Sequence, residues 1–278
     1  MTSISSQRKD IHAVSLRSLI LWAFVFIAWG IIRQKFPAFE TTDLISRISV
    51  LEVVQVFYIV RLARPVPPDE TVSAWVACGG LVVISSLVLI LQFRPTYASG
   101  GLEIGLLALS VFRPSMRVFA WAVTLFVFQY LFMAGPFLWL HETVGSIDAT
   151  VLRGMLQEWG YPALGIGPFV FLDGSVHGVN VMSSCSSSNV IGTIVAGYVI
   201  IVLGRRGRLV PQDALTLTLL LVVGLLLNWL RIVPMALSRE GHAYWHDGDG
   251  AALVSLAFAA IVLAGAFAAT RECDEVKA

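Results

Sequence analysis

Three residues of this chain carry chemistry that could be joined in one site: Cys185, Arg231 and His246. Cys185 lies in the run SSCSSSN at 183–189, just ahead of an apolar stretch that predicts a helix. Ser184 and Ser186 are of the type that caps the free N–H groups of a helix start. The positive end of the helix dipole there favours a thiolate over a thiol. The same position also suits a small residue packed in a tight helix start. Arg231 closes the stretch LLLNWLRIVP, with Asn228 three residues earlier and so on the same helix face. A guanidinium there either stabilises an oxyanion or reaches to the membrane interface as an end-of-span anchor. Pro234 predicts that regular helix stops near this point. His246 lies in GHAYWHDGDG and reads as a general acid–base or as a solvated interfacial ring. His242, His246, Asp247 and Asp249 could together bind a metal, because histidines at i and i+4 share a helix face. Cys78 reads as packing inside an apolar span, while Cys273 and His12 fall near the chain ends. His141 and His177 carry no comparable local pattern.

The elements that must position these residues are membrane spans. Hydrophobic residues make up 57% of the 278 and charged residues 13%, against roughly 45–50% and 25% in soluble domains. So few charges cannot cover a water-facing surface. Disorder, collagen and coiled coil are excluded on the same grounds. A net charge of +1 gives no footprint for nucleic acid. Runs of about 18 apolar residues can cross the bilayer, and clear candidates are 16–32, 72–92, 117–139, 188–204, 213–230 and 251–270. Two weaker ones are 43–60, with Arg47 and Glu52, and 98–112, with Glu103. The fold expected is an all-α polytopic helical bundle of about eight spans, or six if both weak ones fail. It is one integral membrane domain over 1–278, with N-terminal spans in 1–112.

Lys and Arg collect on one side, at Arg8, Lys9, Arg61, Arg64, Arg113, Arg205, Arg206 and Arg208 among others. By the positive-inside rule both termini are then cytoplasmic. The first span lacks a small-x-small cleavage site behind it and reads as retained. Cys185, Arg231 and His246 then fall at the ends of three consecutive spans, all on the outward side. The long polar region 141–183 faces the same way. A thiolate to attack a carbonyl, an imidazole to move protons and a guanidinium for the oxyanion are the parts of a cysteine acyl-transfer site.

In this order and spacing the residues resemble the exosortase/archaeosortase family of membrane transpeptidases. Its members are polytopic, with an outward Cys–Arg–His triad (Arg replaces His in some archaeal members). The counterparts here are Cys185-Ser186-Ser187, Asn228-Trp229-Leu230-Arg231, and Trp245-His246 with Gly250. The family's glycine after Cys-Ser is Ser187 in this chain. The stretch before the cysteine is also similar: VLRGMLQEWGYPALGIG, then a strand-like FLDGSVHGVNV. The similar core covers 113–270. The resemblance implies cleavage of C-terminal sorting signals, each a short motif (Pro-Glu-Pro in the bacterial type), one transmembrane helix and a basic tail. Cys185 would form a thioester, His246 would serve as base and acid, and Arg231 would hold the oxyanion. Asn228, Ser184 and Ser186 would support them, and an acceptor amine or water would release the acyl group. The reading uses no cofactor and no metal. It implies a multi-pass protein of the cytoplasmic (inner) membrane with its site facing the periplasm or exterior, in systems often tied to exopolysaccharide and surface-protein export.

Two other classes stay open on the sequence. One is a transporter or export-assembly subunit without covalent chemistry, for which Glu52 and Glu103 in the weak spans would matter. The other is an outward-facing metal-dependent hydrolase built on His242, His246, Asp247 and Asp249.

Overall fold

The protein is seen in a computed structural model that describes residues 13–15, 49–63, 71–73, 117–131, 138–175, 177–182 and 185–275. Expected span 16–32, nearly all of 72–92, and 98–112 lie outside the described residues. So do both termini, His12, Arg47, Cys78, Glu103 and Ser184, and the side chains of His141 and Cys273.

Seven helices are described: α1 (Val50–Ala63), α2 (Arg117–Leu131), α3 (Leu138–Glu158), α4 (Ser187–Arg206), α5 (Pro211–Leu237), α6 (Arg239–His246) and α7 (Asp249–Glu275). Five short strands accompany them. β1 (Ala13–Ser15) pairs with β2 (Thr71–Ser73), and β3 (Ala163–Ile166), β4 (Phe169–Leu172) and β5 (Gly178–Asn180) form an antiparallel meander. The described chain is therefore mostly helical, with sheet added to the expected all-α bundle. The polar region 141–183 turns out to be helix α3 followed by that meander.

Helices α4, α5 and α7 are long and apolar enough to cross a membrane. At 1.5 Å per residue, the 27 residues of α5 reach about 40 Å, beyond a hydrocarbon core of about 30 Å. α4 is the central one. In its apolar window 67% is buried inside the protein, against 17% for α7. α1, α2, α5 and α7 pack around it through Leu51, Ile59, Phe119, Phe126, Ile194, Tyr198 and Val262. Small residues let the backbones approach. A Cβ on Gly204 would lie 2.5 Å from the Tyr58 ring, and one on Gly224 would lie 2.2 Å from Ile194 Cδ1. Between α1 and α2 the buried amides of Gln55 and Gln129 bond reciprocally at 3.3 Å.

Two expectations are corrected. The weak span 43–60 only overlaps α1, whose 14 residues start at Val50 and run on to Ala63. Glu52 closes a capping box there: its Oε2 accepts from Ser49 N at 2.9 Å, and its own N donates to Ser49 Oγ at 3.1 Å. Its carboxylate is thus engaged at the helix start. Pro234 does not stop α5, which runs on to Leu237. A proline so near the C-terminus removes one backbone bond from the last turns while the rest of the helix stands.

A second core lies beyond the one around α4. Leu152 and Leu156 of α3, Ala163, Val170 and Val179 of the sheet, and Ile232, Val233 and Met235 of α5 bury together there, and Cys185 belongs to it. α3 presents this stripe because Ala149, Leu152 and Leu156 recur at helical spacing.

Candidate active site

Cys185 stands two residues before α4, at the junction of α3, the meander and α5, and is 2% exposed. Its N–H donates to Met182 O at 3.2 Å. Its carbonyl accepts from Asn228 Nδ2 at 2.9 Å. Ser186 is the N-cap of α4, and its Oγ accepts from Ser188 N at 3.2 Å. The expectation that Ser186 caps the helix therefore holds, while Cys185 precedes the cap instead of opening the helix.

The rest of the helix start is held by a residue that carried no weight in the sequence. Asp148 of α3 is buried and accepts three hydrogen bonds: Ser187 N at 2.7 Å, Ser187 Oγ at 2.5 Å and Trp229 Nε1 at 2.9 Å. A carboxylate at a helix N-terminus meets both free N–H groups and the positive end of the dipole. This arrangement gives Ser187 a use for its hydroxyl that a glycine would lack. It also joins α3, α4 and α5 directly behind Cys185. The missed signal was periodicity. Asp148 sits beside Ala149 and one turn before Leu152, on the face of α3 that must be buried.

Asn228 and Arg231 lie one turn apart on α5 and reach in different directions. Asn228 is fully buried, and its Oδ1 has no hydrogen-bond partner among the described residues. Arg231 Nε donates to Trp245 O at 2.9 Å, which ties α5 to the last turn of α6. Arg231 also interacts electrostatically with Cys185 and with Asp247. His246 follows Trp245 directly, and Asp247 Oδ1 stands 2.9 Å from its Nδ1. The three residues singled out by type are thus drawn to one end of the molecule, with Asn228 and Arg231 as the links.

Gly250 has a steric reason. A Cβ there would lie 2.7 Å from Tyr244 Cε1 and 2.8 Å from Trp245 Cε3. Any larger residue at the start of α7 would make these two rings shift.

His242 and His246 share a face of α6, as their i, i+4 spacing implies. His242 stacks on His246, with ring centroids 4.9 Å apart and planes 11° from parallel. His177, which had no pattern in the sequence, meets His242 edge-on at 5.9 Å. His177 Nε2 donates to Met235 O at 2.8 Å. Burial holds His242 below the ordinary histidine range, and the neighbouring His246 and His177 push it the same way, with Asp247 opposing. Among the described residues no group of three or more His, Cys, Asp or Glu is placed to hold a metal ion. Asp249 is the exposed first residue of α7.

The model of one protein family, described as transmembrane exosortase, matches residues 12–263, most of the chain. No curated protein and no solved structure matches it.

Proposed function

The chain belongs to the transmembrane exosortase family, and from that premise we propose that it is a cysteine endopeptidase/transpeptidase of C-terminal sorting signals. It acts in the cytoplasmic (inner) membrane with its site facing the periplasm or exterior. Its substrate is a membrane-tethered protein ending in a short motif, one apolar span and a basic tail. The observation that carries the reading is the pair of bonds from one face of α5. Asn228 holds the backbone of Cys185 and Arg231 holds the backbone just before His246.

His246 takes the thiol proton, and the Cys185 thiolate attacks the scissile carbonyl carbon. The carbonyl electron pair moves to oxygen, where the Arg231 cation stabilises it. With Nε committed to Trp245 O, its Nη groups are the donors for this task. Collapse breaks the C–N bond, and His246 returns its proton to the leaving amine. A thioester on Cys185 remains. An acceptor amine or water gives a proton to His246, attacks the thioester and releases the thiolate.

The test is co-expression with a reporter that ends in Pro-Glu-Pro, one apolar span and a basic tail. Cys185→Ala should insert normally and leave the reporter uncut, whereas Cys78→Ala and Cys273→Ala should cut it as the parent does. Full processing by Cys185→Ala would deprive the reaction of its nucleophile.

A further inference from the structure

The hairpin β3–β4 has two unlike faces. Ala163 and Val170 point inward and are buried with Leu152 and Leu156 of α3. The register Leu164↔Phe171 and Ile166↔Phe169 puts four large apolar side chains on the other face. Leu164 and Phe169 are exposed there, and Ile166 is 80% exposed. Trp159 and Tyr161, at the approach to β3, are exposed as well. No residue from Trp159 to Leu172 is charged. A sheet face that meets water usually alternates to polar residues, and a contiguous apolar patch marks an interaction site.

The face, and not the edge, is what the hairpin offers. The outer carbonyls of β3 are already used: Gly165 O accepts from Arg153 Nη1 at 3.1 Å, and Ala163 O from Gln157 Nε2 at 2.8 Å. Both donors come from α3, so strand addition is blocked there. The position of the hairpin indicates what covers the face. β4 and β5 pack on α5, a helix long enough to cross a bilayer. The exposed apolar residues Leu226 and Leu230 of α5 lead up to Arg231 at that same end. The hairpin that carries the patch is therefore seated on a membrane-crossing element. Its Trp and Tyr are the residue types that settle at the headgroup level, and aliphatic and phenyl groups sit between them and the tip.

We propose that the outer face of this hairpin, with Leu164, Ile166, Phe169 and Phe171 at its centre and Trp159 and Tyr161 at its rim, inserts into the bilayer leaflet next to Cys185. The occupant is lipid: acyl chains against the strand residues and headgroups at Trp159 and Tyr161. The hairpin then holds the second core, and Cys185 with it, at the lipid boundary. The inference stands on the hairpin alone and does not depend on the reaction assigned to Cys185.

The test uses the full chain in phosphatidylcholine/phosphatidylglycerol vesicles, with Cys78→Ala and Cys273→Ala as the background. Ile166→Cys carries an NBD fluorophore. Asp173→Cys, in the exposed turn after β4, gives the water-exposed reference, and the unsubstituted background protein serves as blank for the buried Cys185. Ile166 is so exposed that the change removes nothing from the core. The expected result is a blue-shifted Ile166 probe quenched several-fold more by doxyl-labelled lipid than by iodide, with the reverse order at Asp173. Quenching of the Ile166 probe by iodide alone would place the face in water and overturn the proposal. Quenching by neither agent would show a protein cover, either another part of the chain or a second copy, and would also overturn it.

Discussion

In the proposed reaction Arg231 would serve two purposes with one guanidinium. Its Nε holds Trp245 O, and its remaining donors are the ones available to an oxyanion. Lysine at this place keeps the charge but loses the planar fork, so it cannot do both. Arg231→Lys should lower reporter cleavage on the order of 10²-fold, measured in membranes at matched expression. Near-parental cleavage would reduce Arg231 to a structural tie. The two stacked histidines separate in the same assay. One imidazole suffices for a cysteine mechanism, so His246→Ala should be inactive, His242→Ala largely active and the parent indifferent to chelators. If both variants were dead and chelation stopped the parent, a metal-dependent reaction would replace the thioester. His242 makes a further, physical prediction. Its folded value lies below the ordinary 6.5, through burial first and then through His246 and His177. The unfolded chain therefore takes up this proton before the folded chain does as pH falls. The stability tied to the neutral ring is complete above about 6.5 and is lost as pH drops through the lowered folded value. The thermal midpoint of the purified protein should thus fall between about pH 7 and pH 5. His242→Gln should flatten that fall, and an unchanged slope in the variant would remove His242 from the cause.

At the scale of elements, the site depends on how the start of α4 is held, and Asp148 decides it. Hydrogen bonds to an ionised group are worth about 1.5–3 kcal/mol each, and about 1 kcal/mol is usual for neutral pairs. Asp148→Asn keeps the shape but removes the charge from three bonds, so it should cost about 2 kcal/mol or more and weaken reporter cleavage with it. Ser187→Gly removes only one of those three bonds, the hydroxyl's, and keeps the N–H, so it should cost about 1.5 kcal/mol, less than Asp148→Asn, and remain active. Thermal unfolding and cleavage measured side by side check the order, and a Ser187→Gly variant as damaged as Asp148→Asn would contradict it. These two positions also show what was legible beforehand. Cys185, Arg231 and His246 stand out as candidates by type, by spacing and by their places at span ends. Asn228 does so through its three-residue offset from Arg231. Asp148 does not, because its partners lie 39 and 81 residues away and its own neighbourhood reads as polar surface. His177 was hidden likewise: the turn before β5 brings it to His242 only once the meander packs on α5. Pro234 misled, since its local cost is small where a helix is about to end.

For the whole molecule, the question is which way the bundle faces. Hydrophobicity made the membrane class plain, and α4, α5 and α7 follow the expected spans 188–204, 213–230 and 251–270 closely. Orientation is subtler, because the fold employs many of the charges that the sequence alone would count as loop signals. At the site end Arg153 is committed to Gly165 O and Arg231 to Trp245 O. At the far end Arg206 pairs with Asp213, and Arg205 binds Thr270 Oγ1 at 2.8 Å and lies 4.4 Å from the centre of the Phe267 ring. These ties join α4, α5 and α7 opposite the site. They do not cancel the orienting effect of the cations, which acts during insertion and owes little to acidic partners. The cluster Arg205, Arg206 and Arg208 should therefore remain inside, with Cys185 outside. Cys185 is too buried to report on this, so exposed positions must do so. In the Cys78→Ala/Cys273→Ala background, Asp173→Cys marks the turn after β4 and Arg208→Cys marks the α4–α5 turn, both exposed. A membrane-impermeant maleimide applied to intact cells, with the outer envelope opened where one is present, should label Asp173→Cys at once. It should label Arg208→Cys only after the membrane is permeabilised. The reverse pattern would turn the bundle over, and with it every step that requires an exported substrate to meet Cys185.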